Sequence, residues 1–120
     1  MKTTKPTQQP KNGFLKNNLE EIYKNIRKAQ QPNQTVKLLA VTKKHPKKIV
    51  NKAIKLGIIC FGENKVQEAE KKFYNKPKDI ELHFIGHLQK NKIKKAVKIF
   101  DIIETVDSLE LAEKINYQAT

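Results

Sequence analysis

The sequence is short of several residue types on which whole classes of function depend. It has one cysteine, Cys60, so no internal disulfide can form, and its place in the apolar run IICF reads as a small buried core residue rather than a reactive thiol. It has one arginine, Arg27, although arginine is the residue suited to bidentate phosphate clamps and base-edge readout. It has four glycines, at positions 13, 57, 62 and 86, and they form no glycine-rich phosphate-binding loop. No apolar run approaches the length needed to cross a bilayer, and the opening MKTTKPTQQPKNG holds no hydrophobic segment of the kind that directs secretion. The expected location is the cytoplasm.

What the chain has in excess is lysine. Its 120 residues carry 25 Lys and Arg against 12 Asp and Glu, a formal charge of +13. Residues 1–60 hold 14 basic and 2 acidic groups and residues 61–120 hold 11 and 10, so nearly all the surplus lies in the first half. Such a charge attracts polyanions, nucleic acid included, but the scarcity of arginine makes that the secondary reading.

The length suits one modest domain. Residues 1–13 are polar, contain Pro6, Pro10 and Gly13, and are predicted to be a disordered basic arm; residues 14–120 form the domain. Leu15, Leu19, Ile22 and Ile26 recur at helical spacing, which predicts an amphipathic helix from Phe14 to Ala29 ended by QQPNQT. A four-fold pattern follows: a short apolar run, a turn, then an amphipathic helix. The runs are VKLLAVT, IICF, IELHFIG and FDIIETV. Pro46 suits the first position of the first helix, with Ile49, Val50, Ala53 and Ile54 inward and Gly57 as its stop. The second helix runs from about Lys65 to Tyr74 with Val66, Ala69 and Phe73 inward, and the third buries Leu88, Ile93 and Val97. Asp107 and Glu110 form a capping-box pattern ahead of the fourth.

Strands alternating with helices imply a parallel sheet with right-handed crossovers, so the fold class is α/β. In such folds ligands bind on the rim where strands lead into helices. The polar residues that interrupt the pattern fall on that rim: Thr42 and Lys43, then Gly62, Glu63 and Asn64, then Gly86 to Gln89, then Thr105 to Ser108.

Two lysines stand at the end of the first run, in KLLAVTKKHP. Period-two alternation puts Lys43 with Leu39 and Val41, and Lys44 with Ala40 and Thr42, but leaves open which face is inward. Either is a solvated turn lysine or an amine placed to condense with a carbonyl. Other constellations are weaker. His83 and His87, four apart, would pair on a metal only in a helix, and ELHFIG reads as a strand and turn, so no metal site is expected. Glu63 is near the rim, whereas Glu68 and Glu70 read as a solvated helix face. LQKNKIKKAVK offers Lys90, Lys92, Lys94, Lys95 and Lys98 to RNA but lacks interleaved aromatics.

Four co-linear segments, LLAVTKKHP, FGENKVQEA, ELHFIGHLQKNK and FDIIETVDSLELAEKIN, resemble the pyridoxal phosphate homeostasis family, whose patterns are LLAVSKTKP, FGENYVQEA, WHFIGPLQSNK and a strand followed by TVDS. That family is similar to the N-terminal domain of alanine racemase, a TIM-type barrel holding pyridoxal 5′-phosphate as a Schiff base. The resemblance maps the Schiff-base lysine onto Lys43, not Lys44, and places Asn64 and His83 in the cofactor pocket. The departures are Thr42, Lys44, His45, Lys65, His87 and Lys90, which leave the lysine and make the rim more basic.

A closed eight-unit barrel takes about 250 residues, and rarely fewer than about 200. The fold expected here is therefore half of a TIM-type (β/α)8 barrel: an N-terminal helix and four parallel βα units. The phosphate of the cofactor is held in such barrels near strands seven and eight, beyond these four units. The resemblance thus implies a truncated or split, non-catalytic pyridoxal phosphate-binding protein, impaired unless a complementary C-terminal half-barrel or a second copy closes the ring. A basic polyanion-binding protein is the alternative, and a racemase-like enzyme a third.

Overall fold

The computed structural model describes residues 12–120, with side chains from Leu15 onward. Residues 1–11, most of the expected arm, lie outside the described residues. The chain divides into two compact units, one ending at Lys37 and the other running from Leu38 to Thr120.

The first unit contains helix α1, Asn12–Ala29, which starts two residues earlier than the apolar spacing indicates. Its Leu19 is buried, Leu15 and Ile26 are half-buried, and Ile22 is exposed, so the stripe is narrower than four equivalent positions would make it. Arg27 and Lys28 lie in the last turn, where cations oppose the negative end of the helix dipole. The helix stops ahead of Pro32, and the Gln34 N–H donates to the Gln31 carbonyl at 3.0 Å.

The second unit is one four-stranded parallel sheet, β1 (Ala40–Val41), β2 (Cys60–Glu63), β3 (Glu81–Phe84) and β4 (Ile102–Ile103), in the order β1-β2-β3-β4. Helices α2 (Lys47–Lys55), α3 (Val66–Lys72), α4 (Ile93–Ile99) and α5 (Leu109–Ala119) follow the strands in turn, with a 3-10 turn at Lys90–Lys92 before α4. Sequential order with parallel pairing is the first half of a (β/α)8 barrel.

Several boundaries differ from the sequence reading, each for a local reason. The run VKLLAVT contributes only two paired residues, because β1 has a neighbour on one side only. Pro46 is the residue before α2, not its first: it is extended (φ −73°, ψ 163°) and its carbonyl accepts from Ile49 and Val50. Gly57 ends α2 as expected, with φ +97°; it donates to Ile54 while Ile58 donates to Ala53, the paired bonds of a Schellman stop. The cap of α5 is Ser108 rather than Asp107, its hydroxyl accepting from the Leu111 N–H at 3.1 Å.

The sheet's two faces have opposite characters. Phe61 packs on Phe73 with ring centroids 5.6 Å apart, and Phe84 on Phe100 at 5.0 Å. Phe61, Leu82 and Phe84 therefore face the helices, together with buried Val50, Ala69, Ile93 and Ala96. The alternate residues, Val41, Cys60, Gly62, Glu81, His83 and Ile102, lie on the other face, the one that lines the inside of a closed barrel. That face is partly open: Val41 is 47% and Ile102 38% exposed. No helix among the described residues is long and apolar enough to cross a membrane.

Candidate functional site

The register of the strands locates the residues singled out in the sequence. Ala40 pairs with Phe61 and Val41 with Gly62, and Lys43 and Asn64 each follow these last paired residues by two, in the loops at the carboxyl end of the sheet. His83 pairs with Gly62 and lies on the same inner face, below that rim. A rim cavity of about 430 Å³ is lined by Asn64, Lys65, His87 and Lys92 among others, and neither Lys43 nor His83 lines it.

Lys43 sits in a tight turn in which the His45 N–H donates to the Thr42 carbonyl at 3.0 Å. It is exposed, and its side chain makes no hydrogen bond or ion pair among the described residues. The third residue of the turn, Lys44, has φ +65°, a conformation that L side chains adopt only under constraint. The constraint is visible: the Lys44 N–H points at the Glu68 carboxylate, 3.2 Å from each oxygen.

Beneath that turn lies a buried polar cluster on the helix side of the sheet. Glu63, fully buried, accepts at Oε2 from the Thr42 hydroxyl and from Lys72 Nζ at 2.8 Å. Lys72, also buried, donates as well to the Thr42 carbonyl and lies 3.8 Å from Glu68. Glu63 Oε1 accepts no hydrogen bond among the described residues. Burial pushes the Glu63 carboxyl up, and the hydrogen bonds from Lys72 and Thr42 offset only part of that. At Glu68 burial also raises the carboxyl, but the Lys44 N–H, Glu63 and the Lys72 charge outweigh it and hold the group below its usual range. Four groups, Thr42 just after β1, Glu63 of β2 and Glu68 and Lys72 of α3, thus hold the backbone on either side of Lys43. Sequence alone reads Glu68 as a solvated helix residue and gives Lys72 no distinguishing signal. Their spacing, i and i+4 on α3, is common on surfaces, and only the tertiary fold turns it inward.

The rim loops are tied to one another. A Cβ on Gly86 would overlap the Asn64 carbonyl oxygen and lie 2.9 Å from Asn64 Cα, so glycine alone allows the loops after β2 and β3 to touch. The Thr105 hydroxyl donates to the Gly86 carbonyl, which brings in the loop after β4.

His83 is 8% exposed and held from two sides, Nε2 at 2.7 Å from Glu81 Oε1 and Nδ1 at 3.1 Å from Glu104 Oε1. His87 is exposed on the rim and forms no pair with it; the metal-competent group among the described residues is instead Cys60, Glu81 and His83. Cys60 is buried, as expected, at 1% exposure. In the basic stretch Lys90 pairs with Glu110 at 2.8 Å and Lys95 with Glu70 at 3.8 Å, so it is partly neutralised.

Comparison with known proteins agrees with this architecture. The pyridoxal phosphate homeostasis protein of Pasteurella multocida is 40% identical over 111 residues, covering 87% of this chain and 48% of the relative. That of Mus musculus is 46% identical over 88 residues, covering 67% of this chain and 32% of the relative. The structure of PipY from Synechococcus elongatus with PLP bound matches at 40% identity and a TM-score of 0.69, over 82% of this chain and 46% of that one. The chain spans half or less of the length of these relatives. Residues 17–120 match the family described as alanine racemase, N-terminal domain, and the chain belongs to that family.

Proposed function

We propose that this chain forms the first half of a pyridoxal 5′-phosphate-binding barrel and that Lys43 is the amine that takes the cofactor's aldehyde as a Schiff base. The observation that carries the reading is the clamp around position 43. Thr42 is held by Glu63 and Lys72 and Lys44 by Glu68, while the lysine between them has no partner among the described residues. A preorganised backbone carrying an unpaired primary amine at a barrel rim suits covalent capture of a carbonyl.

The residues present fit the cofactor at its aldehyde end and offer charge for the rest. Asn64 follows β2 on the rim that carries Lys43, His83 lies on the inner face of β3, and Lys65 and Lys92 bring positive charge to a cavity that Asn64 also lines. When bound, the cofactor supplies an electrophilic aldehyde; the chain supplies the amine, the donors around it and a basic rim that attracts a dianion. The function proposed is storage and delivery of pyridoxal phosphate, in keeping with relatives named as homeostasis proteins. A complementary half-barrel or a second copy, meeting the edges at β1 and β4, completes the ring and the phosphate site.

The test is site-resolved. The protein is mixed with pyridoxal phosphate, reduced with borohydride and digested, and the modified lysines are mapped by mass. One dominant adduct at Lys43, absent in Lys43→Ala without transfer to Lys44, is the expected result. Label spread evenly over the other lysines refutes the proposal.

A further inference from the structure

We propose a second site on the inner face of the sheet, for a thiophilic divalent transition cation of the zinc class, with Cys60, Glu81 and His83 as its ligands. Cys60 and Glu81 are direct neighbours across β2 and β3, and His83 follows Glu81 by two residues, which in a strand keeps it on the same face. One sulfur, one carboxylate oxygen and one imidazole nitrogen lie within 4.8 Å of one another. Cys60 Sγ is 3.8 Å from Glu81 Oε1, and His83 Nε2 is 2.7 Å from that same oxygen.

Two of the three separations, sulfur to oxygen and oxygen to nitrogen, bracket those of a tetrahedral site, and the third, sulfur to nitrogen, is at most 4.8 Å and must close onto the ion. Ligands at zinc distances of about 2.0 Å for nitrogen and oxygen and about 2.3 Å for sulfur stand roughly 3.3 to 3.5 Å apart. The sulfur and carboxylate are within a few tenths of an ångström of this, and the oxygen and nitrogen must part by about half an ångström. Glu81 is a third exposed, whereas Cys60 and His83 are buried, so the adjustment falls on the glutamate. The mixed sulfur, nitrogen and oxygen set favours zinc-like ions over magnesium or calcium, which take oxygen alone.

An independent feature points the same way. The other ring nitrogen of His83, Nδ1, is 3.1 Å from Glu104 Oε1, a residue of the loop after β4 and outside the ligand set. A carboxylate on the far nitrogen fixes the ring's tautomer and orients its lone pair at a metal, the arrangement common to metal-bound histidines. Three protein ligands leave a fourth position open toward the barrel interior. On binding, the Cys60 thiol releases its proton to solvent and enters as thiolate, with no change of oxidation state. The ligand positions lie one to three residues before the carboxyl ends of β2 and β3, below the rim that carries Lys43, and His83 is the residue common to this site and the proposed cofactor pocket.

Cobalt(II) is the probe, because its bond to thiolate gives a near-ultraviolet charge-transfer band and Cys60 is the single cysteine of the chain. Titration of the reduced full chain is expected to raise that band to one cobalt per protein, with zinc displacing it. Glu81→Gln and His83→Gln are each expected to weaken binding at least tenfold. Glu104→Gln should keep the band but weaken binding roughly 10- to 100-fold, and Lys43→Ala should leave it unchanged, which separates this site from the cofactor proposal. Should His83→Gln fail to fold, Glu81→Gln carries the test. Cobalt bound to the folded protein without the thiolate band overturns the assignment, as does a band insensitive to Glu81→Gln.

Discussion

Replacing Lys72 with methionine isolates the buried cluster under the Lys43 turn. Methionine keeps most of the chain length and removes the charge, leaving Glu63 fully buried with the Thr42 hydroxyl and the Glu68 carboxyl beside it but no cation. Breaking a buried ion pair from one side costs about 3 to 5 kcal/mol, and the bond lost at the Thr42 carbonyl belongs to the same non-additive unit, so about 3 kcal/mol is a working figure. With a urea dependence of about 1.5 kcal/mol/M, the unfolding midpoint falls by roughly 2 M. The effect must depend on pH. The Glu63 carboxyl, already raised above 4.5 by burial, rises further without Lys72. A carboxyl whose folded value exceeds its unfolded one binds more protons when folded, so its contribution is complete below the unfolded value and is lost as pH rises through the folded one. The deficit of Lys72→Met is therefore expected to be larger at about pH 8 than at about pH 4.5, and Glu63→Gln in the same chain should recover part of it. Urea titrations followed by circular dichroism at both pH values measure this. An unchanged midpoint at the higher pH, or a deficit equal at both, refutes the reasoning.

Two further outcomes are expected from the rim. Gly86→Ala drives a methyl into the Asn64 backbone and should cost about 2 kcal/mol or more while lowering the yield of any Lys43 adduct; thermal unfolding and the mass map report the two effects. Lys44→Gly removes a side chain from a left-handed position and should leave stability unchanged or raise it by up to about 1 kcal/mol, the relief being offset by the freer unfolded chain; a loss beyond that range shows that the Lys44 side chain contributes a contact of its own.

How much of this could be read from the residues differs from level to level. The alternation of apolar runs with helical stripes was enough for four βα units, since burial on one side of a sheet leaves little choice of period. The Schellman stop at Gly57 was legible because a positive φ selects glycine. Strand lengths were not, because apolar residues such as Val36 continue beyond the two that find a partner. The inward turn of Glu63 and Lys72 was hidden for a related reason: a glutamate and a lysine nine residues apart read as surface charge until the fold brings β1, β2 and α3 together. Cys60 was placed correctly in the interior, yet its neighbours Glu81 and His83 depend on register between strands, which one strand's sequence does not encode.

The contact between Gly86 and Asn64 has a wider bearing. With Thr105 anchored on the same glycine carbonyl, three successive loops meet at one small residue and share a common joint. Lengthening or re-sequencing any one of them disturbs the other two, so new ligand preferences at this end of the molecule would have to arise by coordinated change across all three, or from the parts of the rim that the joint does not reach.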